Sequence, residues 1–336
     1  MAKFVDVAIF IHIDFICSKV FPWQNTTSHK FNLWVNHQQL LFRQLIPNPP
    51  RLIDKVNSMT SNRDKKAVVA SLIIFSVTFM ARYRFNFRGY MSAGDFGGAL
   101  LLARNILNGL PPYTGFTDVP YPIVAGFWAI PFTLFNNRLA GTLFIALSYA
   151  LLTFIVIHRT GQTWRLLMFL AKPFAHALEW AQWSPLIMAT WYLPILTPVM
   201  VLIKPQIALP LAINRPNVRG IVIAGAILVL SLVLFPLWPQ QWLSMTQGYQ
   251  YIIPVLLPWG GLLMLSLLAW PREKAKLLTT MAFFPVRGAY DLTLLFIFPD
   301  SLIQMIILVT GSWLLPFHLL YVVLSLYCLC AIITPK

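Results

Sequence analysis

Long apolar runs, separated by short connections rich in Arg, Lys and Pro, cover most of this chain after residue 66. The first clear run extends from Ala67 to about Arg82. Further apolar segments lie near residues 121–136, 139–158, 165–178, 184–203, 206–214, 219–237, 251–270, 277–297 and 301–333. Because a helix needs about 20 apolar residues to cross a bilayer, the pattern predicts about nine to eleven membrane helices, some of them only partial.

The connection between the first two spans has a different, amphipathic pattern. Four apolar side chains recur at the spacing of one helix face: Phe96, Leu100, Ala103 and Leu107. The polar residues Arg104 and Asn108 fall on another face. We therefore expect a helix from Asp95 to Asn108 that lies along the outer membrane surface.

The composition agrees with a membrane protein. Hydrophobic residues make up 58% of the chain and charged residues 10%, with a mean hydropathy of +0.70. A soluble domain contains about a quarter charged residues, which it needs to solvate its exterior. The 25 prolines predict short, broken or kinked helices. The sequence thus predicts an all-α polytopic protein that passes several times through the plasma (inner) membrane.

The net charge of +15 fits the same interpretation. Basic residues lie mostly between apolar runs, where they flank spans and favour the anionic head groups of membrane lipids. No nucleic-acid motif accompanies them, so we expect no nucleic-acid partner. Arg63, Lys65 and Lys66 precede the first span, and the positive-inside rule puts that side in the cytoplasm. Residues 84–119 then lie outside, although Arg88 and its basic neighbours run against the rule.

The N-terminal region differs from the rest of the chain. Residues 1–21 are apolar but interrupted by Asp6 and Asp14, and residues 22–66 are polar and irregular. We interpret residues 1–66 as an N-terminal appendage of unclear role and residues 67–336 as the transmembrane domain. Met59, just before a basic stretch and the first span, would be a sensible start.

Acidic residues are rare, and three of the ten lie close to apolar segments: Asp95, Glu179 and Asp291. An ionisable group is costly there, so each is a candidate functional residue. Asp95 also has an alternative role, because the spacing from Ser92 to Asp95 fits a capping box. The scattered Cys and His residues have no metal-ligand spacing, and we predict neither a metal nor another cofactor.

Three further stretches place polar groups among apolar segments. Gln182, which follows Ala181, is a candidate site residue. Its alternative role is a hydrogen bond between two helices. Lys204 precedes Pro205, and its alternative is a lysine that snorkels to the interface. Asp291 enters an apolar run just after Arg287, and its alternative is an Arg–Asp pair that locks two helices.

The order of these motifs along the chain carries a family resemblance. They are Asp95-Phe96 with the turn from Gly109 to Tyr113, then Tyr121-Pro122, Ala181-Gln182, Lys204-Pro205 and Tyr290-Asp291-Leu292. In this order they resemble glycosyltransferase family 87, one of the GT-C membrane glycosyltransferases, across roughly residues 67–310. The Gly that precedes Gln in that family is Ala181 here.

The resemblance implies a GT-C-like bundle that transfers a hexose, typically mannose, from a polyprenyl-phosphate donor. The acceptor would be a hydroxyl of a glycolipid or glycan on the outer face, and Asp95 would act as the general base of an inverting reaction. For the donor phosphate, which needs cations, we predict Arg88, Arg287 and Lys204. For the sugar and acceptor pocket we predict Arg104, Tyr113, Tyr121, Gln182, Tyr290 and Asp291.

Two other functions fit the sequence. In a transporter or flippase of a lipid-linked substrate, Asp95 and Asp291 would serve a proton or substrate path. The absence of a visible inverted repeat counts against that function. In a non-catalytic accessory subunit of a membrane complex, the motifs would be structural, and the substitution at Ala181 keeps that alternative open.

Overall fold

The fold is taken from a computed structural model of the chain. It describes residues 62–84, 93–116, 121–247, 251–269 and 272–314, together with 316, 326–327 and 329–330. Nearly all of the predicted N-terminal appendage lies outside these residues, and so does Arg88. What the sequence indicates about both therefore stays a prediction.

The regular structure of the described residues is helical, apart from one isolated antiparallel bridge between Ile252 and Val286. The α-helices are α1 (Asn62–Arg84), α2 (Phe96–Leu107), α3 (Ile123–Ala129), α4 (Asn137–Thr160), α5 (Lys172–Glu179), α6 (Ser184–Thr190), α7 (Thr197–Val201), α8 (Pro205–Asn214), α9 (Val218–Leu234), α10 (Trp238–Thr246), α11 (Glu273–Phe283) and α12 (Leu302–Leu314). Six 3₁₀ segments lie between them: Ile130–Leu134, Thr163–Leu170, Pro194–Leu196, Pro254–Leu256, Gly260–Ala269 and Ala289–Ile297.

Among the described helices, α1 and α4 are long and apolar enough to cross a membrane. Helices α9 and α10 form a third span if their bend of 97° is a break within one crossing. Several of the other predicted spans fold instead as short helices, because prolines begin or interrupt them. The predicted total of about nine to eleven spans thus stays a prediction, and the described chain supplies two or three candidates.

Apolar side chains cover the outer surfaces of these candidate spans. Exposed residues on α1 and α9 include Val69, Leu72, Val77, Ile221, Val222 and Val233. In water such a surface would be an aggregation hazard, whereas in a bilayer it contacts lipid chains.

The two long helices α1 and α4 pack together in antiparallel orientation. At one end, the Asp64 carboxylate lies 2.6 Å from the His158 ring, near the C-terminus of α4. At the other end, the Arg138 guanidinium donates to the Tyr83 carbonyl and lies 4.6 Å from the centre of the Tyr83 ring. The pair therefore separates the basic N-terminus of α1 from the end at which residues 93–95 lie.

Helix α2 confirms the amphipathic segment predicted from Asp95 to Asn108, since these two residues are its N-cap and C-cap. The buried surface of α2 extends beyond the predicted single face. Gly126 of α3 lets that helix approach α2 closely on the side of Leu102. Leu107 at the end of the helix is 57% exposed, so the protein itself does not cover it. Packing against both α3 and α4 thus buries half of the helix.

An aromatic cluster anchors α2 to the rest of the fold. The ring of Phe96 stacks on that of Phe144 from α4, with centroids 4.0 Å apart. Trp183, which is fully buried, lies 4.7 Å from Phe144 and also contacts Tyr121. The cluster fixes the start of α2 against the turn that carries Gln182.

Candidate active site

Asp95 is held in place by its backbone. Its amide N–H donates to the Trp180 carbonyl at 2.8 Å, in the turn that follows α5. Gly94 before it has φ +64°, a conformation that favours glycine, and packs directly on the same carbonyl. On the other side, Gly141 of α4 leaves room for Ala93. The backbone of Asp95 is therefore fixed between α4 and the turn that follows α5, and this sets the point from which the carboxylate extends.

The α5 turn is itself held by a cation from the first helix. Arg82 donates to the last carbonyls of α5, those of Leu178 (2.5 Å) and Glu179. A cation at a helix C-terminus satisfies otherwise unpaired carbonyls and stabilises the helix dipole. Ala181 then adopts φ +46°, a left-handed conformation, and the chain turns to present Gln182.

A chain of hydrogen bonds links Asp95 to Asp291. The Gln182 side chain donates through Nε2 to Asp95 Oδ2. Its Oε1 accepts from the Lys204 ammonium at 3.0 Å, and the same ammonium donates to Asp291 Oδ1 at 3.1 Å. Asp291 Oδ2 accepts from the backbone N–H of Arg287 at 2.8 Å. Residues from four separate stretches of the sequence thus form one polar network.

These contacts count against one of the two roles considered for Asp95, that of a side-chain helix cap. A capping side chain would accept from an amide in the first turn of α2, but Asp95 makes no such bond. Its carboxylate instead faces Gln182 and a cavity. Asp95 occupies the N-cap position of α2 without capping through its side chain.

The cavity beside Asp95 is small, with a volume of about 30 Å³. Its walls combine acidic, basic and aromatic groups. They are Asp95, Tyr121, Ile203, Lys204, Gln206, Trp242, Thr246, Tyr251, Arg287 and Tyr290. Aromatic rings beside a few charged groups suit a sugar or another polar ring with an attached anion.

Burial changes the ionisation of Asp95, which lies outside the candidate spanning helices. Desolvation raises the pKa of its carboxyl above the ordinary value, and Asp291 adds to this. Lys204, the Gln182 hydrogen bond and Arg287 oppose the increase without cancelling it. A carboxylate with a raised pKa is a stronger base, so this site favours proton uptake by Asp95.

Tyr121 responds to the same surroundings. Burial raises the pKa of its phenol well above the ordinary value, and the charge of Asp95 raises it further. The phenol therefore stays neutral, and it can donate a hydrogen bond into the cavity.

Four predicted pocket residues do not line the cavity. Gln182 and Asp291 belong to the hydrogen-bond network beside it, and Arg104 and Tyr113 are bonded elsewhere. Arg104 is half-exposed, and it donates to Asn137 Oδ1 at 2.5 Å and to the Phe135 carbonyl at 3.0 Å. Tyr113 donates to the backbone carbonyl of Tyr121 at 3.1 Å, so it supports Tyr121 from outside the cavity wall. The structure therefore does not bring Arg104 or Tyr113 to the cavity, because each is used to fix a neighbouring loop.

Several lining residues were not predicted. Trp242 and Thr246 come from α10, and Tyr251 is brought beside Arg287 by the bridge between Ile252 and Val286. Residues 238–251 form a polar, aromatic stretch between two apolar segments, and that pattern was the available signal.

Among the described residues, no group of three or more His, Cys, Asp and Glu side chains is placed to hold a metal ion. The two acids of the network, Asp95 and Asp291, are linked through the Lys204 ammonium. An ammonium is a donor and cannot ligate a metal, so this arrangement suits proton transfer better than metal binding.

Comparison of the chain with protein-family models, curated proteins and solved structures finds no match. The resemblance to glycosyltransferase family 87 rests on the motifs alone, and the chemistry of the site must be argued from its own contacts.

Proposed function

We propose that this protein is a membrane glycosyltransferase that moves a hexose, typically mannose, from a polyprenyl-phosphate donor to a hydroxyl of a glycolipid or glycan. The observation that carries the proposal is the placement of Asp95. Its carboxylate lines an open cavity, one oxygen is held by Gln182, and Arg287 lies on the same cavity wall.

The proposed reaction inverts the sugar in one displacement. The acceptor hydroxyl gives its proton to Asp95 while its oxygen bonds to the anomeric carbon. The bond from that carbon to the phosphate oxygen breaks, and the phosphate leaves with the electron pair. A phosphate is a weak base, so no general acid is needed on the leaving side.

The leaving phosphate gains negative charge and needs a cation nearby. Arg287 is our candidate, since it lines the cavity together with Asp95 and its guanidinium can bind two phosphate oxygens at once. Arg88 stays a second, predicted ligand. The aromatic walls formed by Trp242, Tyr251 and Tyr290 would pack on the faces of the sugar.

The proposed location of the site is the outer face of the plasma (inner) membrane, in a GT-C-like bundle. The α1–α4 pair supports this location, because Gly94 and Arg82 lie at the end opposite Asp64 and its basic neighbours. The basic N-terminus of α1 favours the cytoplasmic side. A cavity on the other side would receive a donor that is already anchored in the membrane.

The experiment is transfer of label from a polyprenyl-phosphate mannose by purified full-length protein in lipid vesicles. Asp95→Asn should lower kcat by about 10²–10⁴-fold, the usual contribution of a general base. Asp64→Asn is the matched control, since Asp64 pairs with His158 at the far end of α1 and should keep full activity.

Equal transfer by wild type and Asp95→Asn would remove Asp95 as the base. No transfer by the wild type, from mannose or glucose donors to lipid and glycan acceptors, would refute the enzyme. The protein would then fit a transporter of a lipid-linked substrate or an accessory subunit.

A further inference from the structure

The contacts of Lys204 differ from those expected of a ligand for the donor phosphate. An ammonium has three N–H donors. Here one faces Gln182 Oε1 at 3.0 Å, one faces Asp291 Oδ1 at 3.1 Å, and the ammonium lies 4.7 Å from the centre of the Tyr290 ring. The side chain is only 5% exposed. Protein oxygens therefore accept from two of the three donors, and the ammonium also lies over an aromatic ring.

The Lys204 ammonium also fixes the orientation of a neighbouring amide. A Gln side chain has a donor end and an acceptor end, and an ammonium can only donate. Lys204 therefore requires Gln182 to turn Oε1 toward it, and the amide nitrogen must then face Asp95. Without the ammonium, the amide could rotate and present its oxygen to Asp95 whenever the Asp95 carboxyl is protonated.

Asp291 in turn holds Lys204 in place. Its carboxylate is fully buried and uses both oxygens, one for the ammonium and one for the Arg287 amide. Lys204 lies at the N-terminus of α8, while Asp291 belongs to the 3₁₀ segment Ala289–Ile297. The ammonium that faces the Gln182 oxygen is thus held by two elements that do not include Asp95.

We infer that Lys204 is a positioning residue for Asp95, acting through the Gln182 amide, and that it is not a ligand of the donor phosphate. This inference rests on the proposed function, because it assigns a role in the same reaction. In this arrangement the Gln182 amide occupies one carboxylate oxygen of Asp95. The other oxygen then receives the proton of the acceptor hydroxyl.

The test compares Lys204→Met, which removes the ammonium and keeps the chain length, with Arg287→Gln in the full-length protein in vesicles. For Lys204→Met we expect kcat to fall by about 10²-fold, as for a misplaced catalytic group, with KM for the donor unchanged. For Arg287→Gln we expect KM for the donor to rise. A rise in donor KM with unchanged kcat in Lys204→Met would overturn the inference.

A second readout is the pH profile of kcat/KM. The charged and polar groups that act on Asp95 are Lys204, Arg287, Asp291 and the Gln182 amide, and Tyr121 and Arg82 lie close by. Removal of the ammonium removes a stabilising charge from the Asp95 carboxylate. The acid limb should therefore move to higher pH in Lys204→Met. An unchanged limb would contradict the inference.

Lys204→Met leaves the Asp291 carboxylate buried without its partner, and the variant could lose activity by unfolding. The double variant Lys204→Met/Asp291→Asn removes both charges and serves as the folding control. We expect it to recover the thermal stability of the wild type while kcat stays low. Full recovery of kcat would mean that Lys204 only balances Asp291, and the inference would fall.

A measurement without substrate separates this inference from the proposed function. Hydrophobic carbodiimides label protonated carboxyl groups, so the pH at which labelling of Asp95 is half-complete can be followed by mass spectrometry. We expect a higher midpoint in Lys204→Met than in wild type. If the midpoint is higher in Lys204→Met but the protein has no transferase activity, the proposed function is refuted, while the effect of Lys204 on Asp95 still stands. Transferase activity with an unchanged midpoint would refute the inference alone.

Discussion

Gly94 offers the sharpest test of how the backbone positions Asp95. A methyl group at this position would lie 2.7 Å from the Trp180 carbonyl carbon and closer still to the carbonyl oxygen. The left-handed conformation alone costs an alanine about 1–2 kcal/mol. Relief of the overlap by backbone movement adds about 1–3 kcal/mol. The lower entropy of the unfolded alanine chain offsets about 0.4–1 kcal/mol of this. Gly94→Ala should therefore destabilise the protein by about 1–5 kcal/mol.

Gly109 provides the matched control. It has φ +68°, close to that of Gly94, but no atom lies within 4 Å of the position that a methyl group would take. Gly109→Ala therefore measures the conformational cost alone, and we expect a loss of about 1 kcal/mol. The assay is reversible unfolding in detergent micelles, followed by circular dichroism at increasing denaturant. Equal losses in the two variants would show that the contact with Trp180 does not constrain the chain.

Three further predictions follow from the same turn and network. Ala181→Gly should change the free energy of unfolding by less than about 1 kcal/mol in the same assay, because relief of the left-handed conformation is offset by the larger unfolded-state entropy of glycine and by the loss of a fully buried methyl group; a loss of more than about 2 kcal/mol would contradict the strain. Asp291→Asn should cost about 3–5 kcal/mol, because it leaves the buried Lys204 ammonium without its counter-charge. The double variant Lys204→Met/Asp291→Asn should recover most of that loss, and failure to recover would mean that the pair is not the cause. Finally, kcat/KM of the wild type should rise with pH through the raised pKa of Asp95, since the base acts as carboxylate. The contribution of the Asp95 carboxyl to the free energy of unfolding changes with pH in the opposite direction to kcat/KM. Because the pKa is raised in the folded state, this contribution is fully present below the ordinary pKa and is lost as pH increases through the raised value. If the pKa of Asp95 were lowered instead, unfolding curves measured over the acid range would show this contribution to stability increasing with pH.

Local features of this fold could be predicted from the sequence. The spacing of the apolar residues from Phe96 to Leu107 located α2, because helix periodicity is a local signal that neighbouring turns of the chain supply. The prolines likewise indicated broken helices. The burial of α2 on two sides could not be predicted in this way, because it depends on Gly126 and α4, which are distant in sequence.

The site was predicted only in part for a related reason. Gln182, Lys204 and Asp291 drew attention as polar residues among apolar ones, and the fold brings them into one network. The sequence does not predict which of these residues contact one another. Lys204 contacts both the Gln182 amide and Asp291, and these contacts depend on side-chain geometry that the spacing along the chain does not encode. Arg82 was interpreted only as a flanking charge, yet it holds the end of α5 by bonding to carbonyls nearly a hundred residues away.

The charges around the cavity have a consequence for how a reaction could proceed in a membrane. With Asp95 ionised, the four groups Asp95, Asp291, Lys204 and Arg287 sum to zero. In the proposed reaction, the proton that Asp95 takes up neutralises one carboxylate while the departing phosphate gains one negative charge. The total charge inside the cavity is then the same before and after the step. Negative charge is relocated from protein to phosphate and none crosses the hydrocarbon, so no counter-ion has to enter a poorly solvated space during the reaction.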